Sequence, residues 1–163
     1  MQYPETVSMR TKLAFGVGAS GEAGTLWMFN ALTFFFYNQV LGLPPDLAGY
    51  AVAIAIVFDA ITDPVMGSIS DRFRSKYGRR HPFMFAAPAP ILIALFFIFN
   101  PPISVNTDFQ LFAWYTTFTV FLRVSLTLFT VPHLALGAEL SDDYDERSKV
   151  MSYNTLFGYV LSL

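Results

Sequence analysis

The chain has 163 residues, of which 54% are hydrophobic, 17% aromatic and only 13% charged, with a formal net charge of −2. Soluble domains carry about 25% charged residues, so this composition excludes an ordinary soluble domain and predicts an all-α integral membrane protein. The absence of Cys excludes disulfides, metal thiolates and thiol chemistry, and nothing in the charge balance suggests a nucleic-acid partner.

The stretch Met1–Lys12 is polar, and the apolar run after it is too long for the core of a cleavable signal peptide. That run extends from about Leu13 to Leu43, longer than one straight span, so a tilted helix is expected. Gly16, Gly18, Gly21 and Gly24 in its first half suit close helix approach or bending. Leu43-Pro44-Pro45-Asp46 ends it and opens a second segment, Leu47–Ile69. A basic loop, Arg72 to Arg80, leads to a third segment, Phe83–Phe99, which Pro88 and Pro90 should kink. Asn100-Pro101-Pro102 breaks it, and a fourth segment covers about Phe109–Leu136. A polar loop from Glu139 to Lys149 precedes a fifth apolar segment, Val150–Leu163. This last segment is shorter than the ~20 residues a span needs, so the chain is expected to be the front piece of a larger protein.

Lys and Arg orient these segments. Arg10 and Lys12 precede the first segment, five basic residues lie between the second and third, and Arg147 and Lys149 lie between the fourth and fifth. The Pro44–Asp46 and Asn100–Asp108 loops have none. The alternation predicts a multi-pass protein of the cell (inner or plasma) membrane with a cytoplasmic N-terminus, the lipid bilayer being its constant partner.

Two aspartates lie within the second apolar segment. Asp59 sits roughly 18 Å along the helix from Leu47 at 1.5 Å per residue, near mid-membrane. An ionised carboxylate there costs several kcal/mol unless something neutralises it. Asp59, Thr62 and Asp63 fall at i, i+3 and i+4 and share one helix face. Their oxygens suit a hard monovalent cation or a proton. The bland alternative is a structural pair bonded to Arg or backbone. An intramembrane aspartyl protease would draw its two Asp from two helices and carry Gly-x-Gly-Asp, whereas here both lie on one helix and that signature is absent. No enzymatic activity is expected, and no cofactor beyond a coupling ion, Na⁺ or H⁺.

Gly67-Ser68-Ile69-Ser70-Asp71-Arg72, followed by Gly78-Arg79-Arg80, resembles the loop motif between helices two and three of the major facilitator superfamily. The long spacer Phe73–Tyr77, the preceding Asp59-Ala60-Ile61-Thr62-Asp63-Pro64 and the acidic run Asp142 to Arg147 are similar to the glycoside–pentoside–hexuronide cation symporter family, which includes the melibiose carrier. A lysolipid transporter belongs to the same wider group. The resemblance covers about Leu13 to Leu163. It implies the N-terminal portion, about four to five helices, of a 12-helix transporter working by alternating access, with the remainder of the chain as its partner.

The family implies more for individual residues. Gly67, Asp71, Arg72, Gly78, Arg79 and Arg80 would form a conformational latch; a merely topogenic basic loop is the alternative. Asp59, Thr62, Asp63 and Thr127 match the cation site, with Thr62 standing where the family has Asn. The sugar-binding positions do not match: Ala23, Thr130, Leu134 and Thr155 stand where the melibiose carrier has Asp, Asp, Trp and Arg. Melibiose itself is therefore not the expected substrate.

Candidates for substrate contact are Glu22, Trp27 and Asn30 on the first helix, with Arg123 and Thr130 on the fourth. Arg123, Thr127 and Thr130 share a face at i, i+4 and i+7. A mid-span Arg needs a partner, which can be Asp59, Asp63, Glu22 or a substrate carboxylate. His133 is a weaker candidate for a cavity wall. The function expected is cation-coupled symport of a sugar, glycoside or other small organic solute. The alternatives are a non-sugar substrate such as a lysolipid, or a non-transporting fragment with an assembly or regulatory role.

Overall fold

Ser8 opens the first helix: its hydroxyl accepts the Thr11 amide, and α1 runs Met9–Phe35. This comes from a computed structural model that describes residues 6–102 and 107–160. The apolar stretch does not continue to Leu43 as one α-helix. It widens into a π-helical turn, Phe36–Val40, and closes when the Leu43 amide donates to the Tyr37 carbonyl at 2.8 Å. Gly42, at φ +76°, then turns the chain. Pro45 stands in the first turn of α2, Pro45–Arg72, where its missing N–H costs nothing.

Pro88 and Pro90 divide the third segment at Ala87 into α3, His81–Ala86, and α4, Pro88–Phe99. Ala87 keeps helical dihedrals, φ −59° and ψ −38°, so the two pieces form one proline-interrupted span. Thr107 caps α5, Asp108–Glu139, by accepting the Gln110 amide. The last helix, α6, spans Tyr144–Val160. It begins well before the expected Val150, because the Asp143 carboxylate caps it by accepting the Glu146 amide at 2.8 Å. Residues 161–163 of the expected fifth segment, 103–106 of the loop before α5 and 1–5 of the polar start lie outside the described residues.

Among the described residues every element is helical. Three spans are long and apolar enough to cross a membrane: Pro45–Arg72, His81–Phe99 and Asp108–Glu139. Large apolar side chains such as Phe35, Val57, Ile61, Phe85, Leu92 and Phe96 point outward, as a lipid-facing surface requires. Inside, α1 packs mainly on α6, and α5 receives α2, α3 and α4. Ala48, Ala51 and Ala55 form the buried stripe of α2. Their small side chains let the backbones of α2 and α5 come close, which is how transmembrane helices gain packing energy. At one end, Tyr37 stacks on Tyr115 at 4.1 Å and donates to the Ile98 carbonyl at 2.7 Å.

The α1–α5 contact is built on His133, which is buried. Its ring stacks between Phe15 and Phe129, with Nε2 3.1 Å from the Phe15 carbonyl. A Cβ on Gly18 would stand 2.6 Å from His133 Nε2, so glycine is needed there for close approach.

At the polar end of the bundle, outside the apolar spans, the Glu146 carboxylate ties the start of α6 to α1. It lies 2.6 Å from Lys12 Nζ and 2.8 Å from Lys149 Nζ, and it accepts the Val7 amide at 3.3 Å. The Lys12 hydrogen bond first, then that of Lys149, pulls the Glu146 pKa down to about 2 from 4.5. A depressed carboxylate pKa stabilises the fold fully above its unfolded value, and the contribution disappears as pH falls through the folded one. Stability should therefore fall between pH 4.5 and about 2, and Glu146→Gln should flatten that limb. Thermal unfolding in detergent across this range measures it; a Gln variant with an unchanged acid limb would contradict the assignment.

Candidate functional site

The aspartate face of α2 lies against α5. Arg123 Nη1 is 2.7 Å from Asp59 Oδ2, and Thr127 donates its hydroxyl to Asp63 Oδ1 at 2.8 Å. Thr127 is buried, while the Asp59 and Arg123 side chains keep about a fifth of their surface open, 21% and 18%. The bond to Asp59 is one-pronged: Asp59 Oδ1 is buried with no hydrogen-bond partner, and so are Arg123 Nε and the Thr62 hydroxyl. Buried polar atoms are normally satisfied, so these three atoms beside a carboxylate pair are exceptions to the rule. The packing thus brings Asp59, Asp63 and Thr127 together, with Thr62 on the same helix. Of the partners open to Arg123, the structure selects Asp59. Arg123 therefore belongs to the α2–α5 seam and does not join Trp27 and Asn30.

A groove of about 680 Å³ runs between α1 and α6. Glu22, Trp27 and Asn30 line it from α1, and Asn154, Thr155 and Tyr159 from α6. Trp27 is 61% exposed, and Asn30 donates its amide to the Leu26 carbonyl at 2.9 Å, leaving its carbonyl oxygen as the available acceptor. Thr130 hydrogen-bonds Glu22 from α5, so the candidate substrate residues on the first and fourth helices meet at that point. Asn154 Oδ1 is buried and unpartnered. Sequence reasoning passed over Asn154 and Tyr159. The available signal was an amide side chain inside an apolar segment. Leu134, at the lost Trp position, faces outward at 53% exposure.

The loop between α2 and α3 makes ion pairs with α5. Arg80 Nη2 lies 3.0 Å from Asp71 Oδ1 and 2.8 Å from Glu139 Oε1, and Arg79 reaches the same Glu139 oxygen at 3.0 Å. The Arg80 side chain is only 8% exposed. Gly78, at φ +92°, makes the turn that delivers both arginines, and Gly67 brings α2 against Val131 of α5. Arg72 ends α2 on the exposed surface, outside these pairs. Glu139, the common acceptor, was missed in sequence. An acid at the last turn of a membrane-length helix is the feature that marks it.

Comparison with known proteins agrees with this layout. The model of the MFS/sugar transport protein family matches residues 14–163. The chain is 36% identical, over 98% of its length, to a protein of Synechocystis sp. named as an uncharacterized symporter. It is 29% identical over 91% of its length to the inner membrane symporter YicJ of Escherichia coli. It is 28% identical over 91% to the sodium-dependent lysophosphatidylcholine symporter 1 of Gallus gallus. It spans about a third or less of these relatives: 30% of the first, 32% of the second and 28% of the third. With its membrane-length helices and a family match over nearly its whole length, this multi-pass chain belongs to the MFS/sugar transport protein family.

Proposed function

We propose that this chain is the N-terminal part of a symporter that couples Na⁺ or H⁺ to uptake of a sugar, glycoside or other small organic solute. The observation that carries the proposal is the face shared by Asp59, Thr62 and Asp63, closed by Thr127 across the helix seam and left with unpartnered oxygens. A cation there neutralises charge that the bilayer otherwise penalises. Glu22, Trp27 and Asn30 bind solute at the α1–α6 groove, with Thr130 hydrogen-bonded to Glu22 from α5, the aromatic ring supplying a stacking surface and the oxygens accepting hydroxyl or ammonium donors. Alternating access moves this bundle against the remainder of the transporter. The Asp71, Arg79, Arg80 and Glu139 cluster closes one end, on the cytoplasmic side.

A lysolipid is the second reading. It is favoured by the open, largely apolar groove with exposed Trp27 and Tyr159, and by the named activity of the Gallus gallus relative. Uptake of labelled glycosides and lysolipids by the complete transporter, at varied Na⁺ and pH, separates the two. Asp63→Asn should abolish the ion dependence whichever solute is carried. Fully coupled uptake by both Asp59→Asn and Asp63→Asn would eliminate the ion site.

A further inference from the structure

The segment between α2 and α3 carries five basic residues, and the fold divides them into two groups. Arg79 and Arg80 turn toward the acids of α5 and α2. Arg72, Arg74 and Lys76 are exposed, and so is Tyr77, at 79%. Between the two groups the chain makes a hydrogen-bonded turn. The Ser75 hydroxyl accepts the Tyr77 amide at 3.1 Å and donates to the Gly78 carbonyl at 2.6 Å, and the Ser75 carbonyl accepts the Gly78 amide at 3.2 Å. Phe73 packs edge-on against Phe83 of α3, with ring centres 5.0 Å apart. These contacts present Lys76 and Tyr77 at the tip.

The turn adjoins a membrane-length span. Phe85, about one helical turn into α3, is 77% exposed, and Leu92 and Phe96 continue the outward apolar surface along the same span. A basic turn that close to a lipid-facing surface lies at the depth of the headgroups.

We propose that this turn is a docking surface for the anionic phospholipids of the adjacent leaflet. Arg72, Arg74 and Lys76 meet the headgroup phosphates, while their methylene stems lie along the ends of the acyl chains. Tyr77 sits at the boundary, its ring among apolar carbons and its hydroxyl in the polar layer. The exposed rings of Phe73 and Phe85 on either side of the basic residues, continuous with a span, fit a lipid surface better than an acidic protein. Charge sets the lipid species: each basic side chain near an anionic surface raises affinity about fivefold, and a zwitterionic headgroup has no net charge to offer. This surface lies outside the ion face and the groove, so its lipid preference is the same whichever solute is carried.

The test uses the complete transporter reconstituted in phosphatidylcholine vesicles. Tyr77→Trp is the reporter, its emission taken as the difference from wild type. Brominated phosphatidylglycerol at low mole fraction should quench that emission more strongly than brominated phosphatidylcholine at the same fraction. In this background Arg74→Gln should lower the apparent affinity for phosphatidylglycerol about fivefold. Arg72→Gln, Arg74→Gln and Lys76→Gln together should remove the preference, while Arg72→Lys with Arg74→Lys should keep it. Salt at about 1 M, where the Debye length is ~3 Å, should weaken the preference of the reporter and leave the triple variant unchanged. Equal quenching by the two lipids overturns the proposal. So does quenching by neither, the result if another part of the transporter encloses the turn, and so does a preference that survives the triple substitution. If the triple variant fails to insert, the lipid preference and salt dependence of the reporter alone decide.

Discussion

Replacing Arg80 with alanine should cost the bundle about 3 kcal/mol, the range for removing one partner of a buried ion pair. It should also leave the complete transporter with little uptake. The Arg80 guanidinium is 8% exposed and serves two acids from different helices, Asp71 on α2 and Glu139 on α5. Its loss strands the inner oxygen of Glu139 with only the half-exposed Arg79. Arg79→Ala is the internal comparison. That side chain is 46% exposed, and an exposed pair contributes about 0–1 kcal/mol, so the variant should unfold close to wild type. Thermal unfolding in detergent and solute uptake, measured on both variants, check the contrast. Equal losses for Arg79 and Arg80 would show that burial is not what gives the cluster its strength. The Lys substitution at Arg80 should rescue only in part, because both carboxylates meet the single Nη2 at the far tip of the guanidinium, a point the shorter lysine side chain does not reach in the same geometry.

Gly137→Val should be nearly as disruptive, for a different reason. Gly137 lies near the end of α5, where the Phe15 ring of α1 and Met151 of α6 converge. A bare Cβ there would already overlap the Phe15 ring and stand 2.9 Å from Met151 Cε. Met151 is flexible and can give way. Phe15 is buried and cannot move without disturbing the ring of His133 stacked on it at 4.3 Å. Overpacking of this kind costs about 1–3 kcal/mol, and a β-branched side chain belongs at the upper end. Lower expression and a lowered unfolding temperature are expected, with partial recovery when Phe15→Leu is added to make room. If Gly137→Val is as stable as wild type, the three-helix junction is looser than its contacts indicate. Gly21 and Gly24 are the controls, because a Cβ at either meets nothing within 4 Å. Alanine at those positions should be neutral or slightly stabilising, through helix propensity.

Many features of this protein are local properties of its chain. Membrane-length apolar stretches are one-dimensional, because a helix satisfies its own backbone and needs only length and hydropathy to span. Leu47–Ile69 and Phe109–Leu136 therefore fall within α2 and α5. Proline chemistry is equally local, and Pro88 and Pro90 mark the break at Ala87. The sharing of a face by Asp59, Thr62 and Asp63 follows from helical periodicity alone. Helix ends are less legible. The start of α6 depends on Asp143 reaching the Glu146 amide, and the Glu146 side chain is fixed by Lys12 from the other end of the chain. No local pattern displays that second contact.

The sequence alone determined the class of molecule, three segments long and apolar enough to cross a membrane and the presence of two acids within one of them, because each depends on composition, length or helical period. Which groups those acids meet was decided only by tertiary structure. Arg123 had three acids within plausible reach, and the choice of Asp59 follows from how α2 and α5 settle on each other over Ala48, Ala51 and Ala55. The same packing sent Glu22 to Thr130 and placed Trp27 and Asn30 on a groove with α6. Pairings between positions far apart in the chain depend on distances of a few ångströms between helices, and those distances are set by side-chain packing that sequence periodicity does not encode.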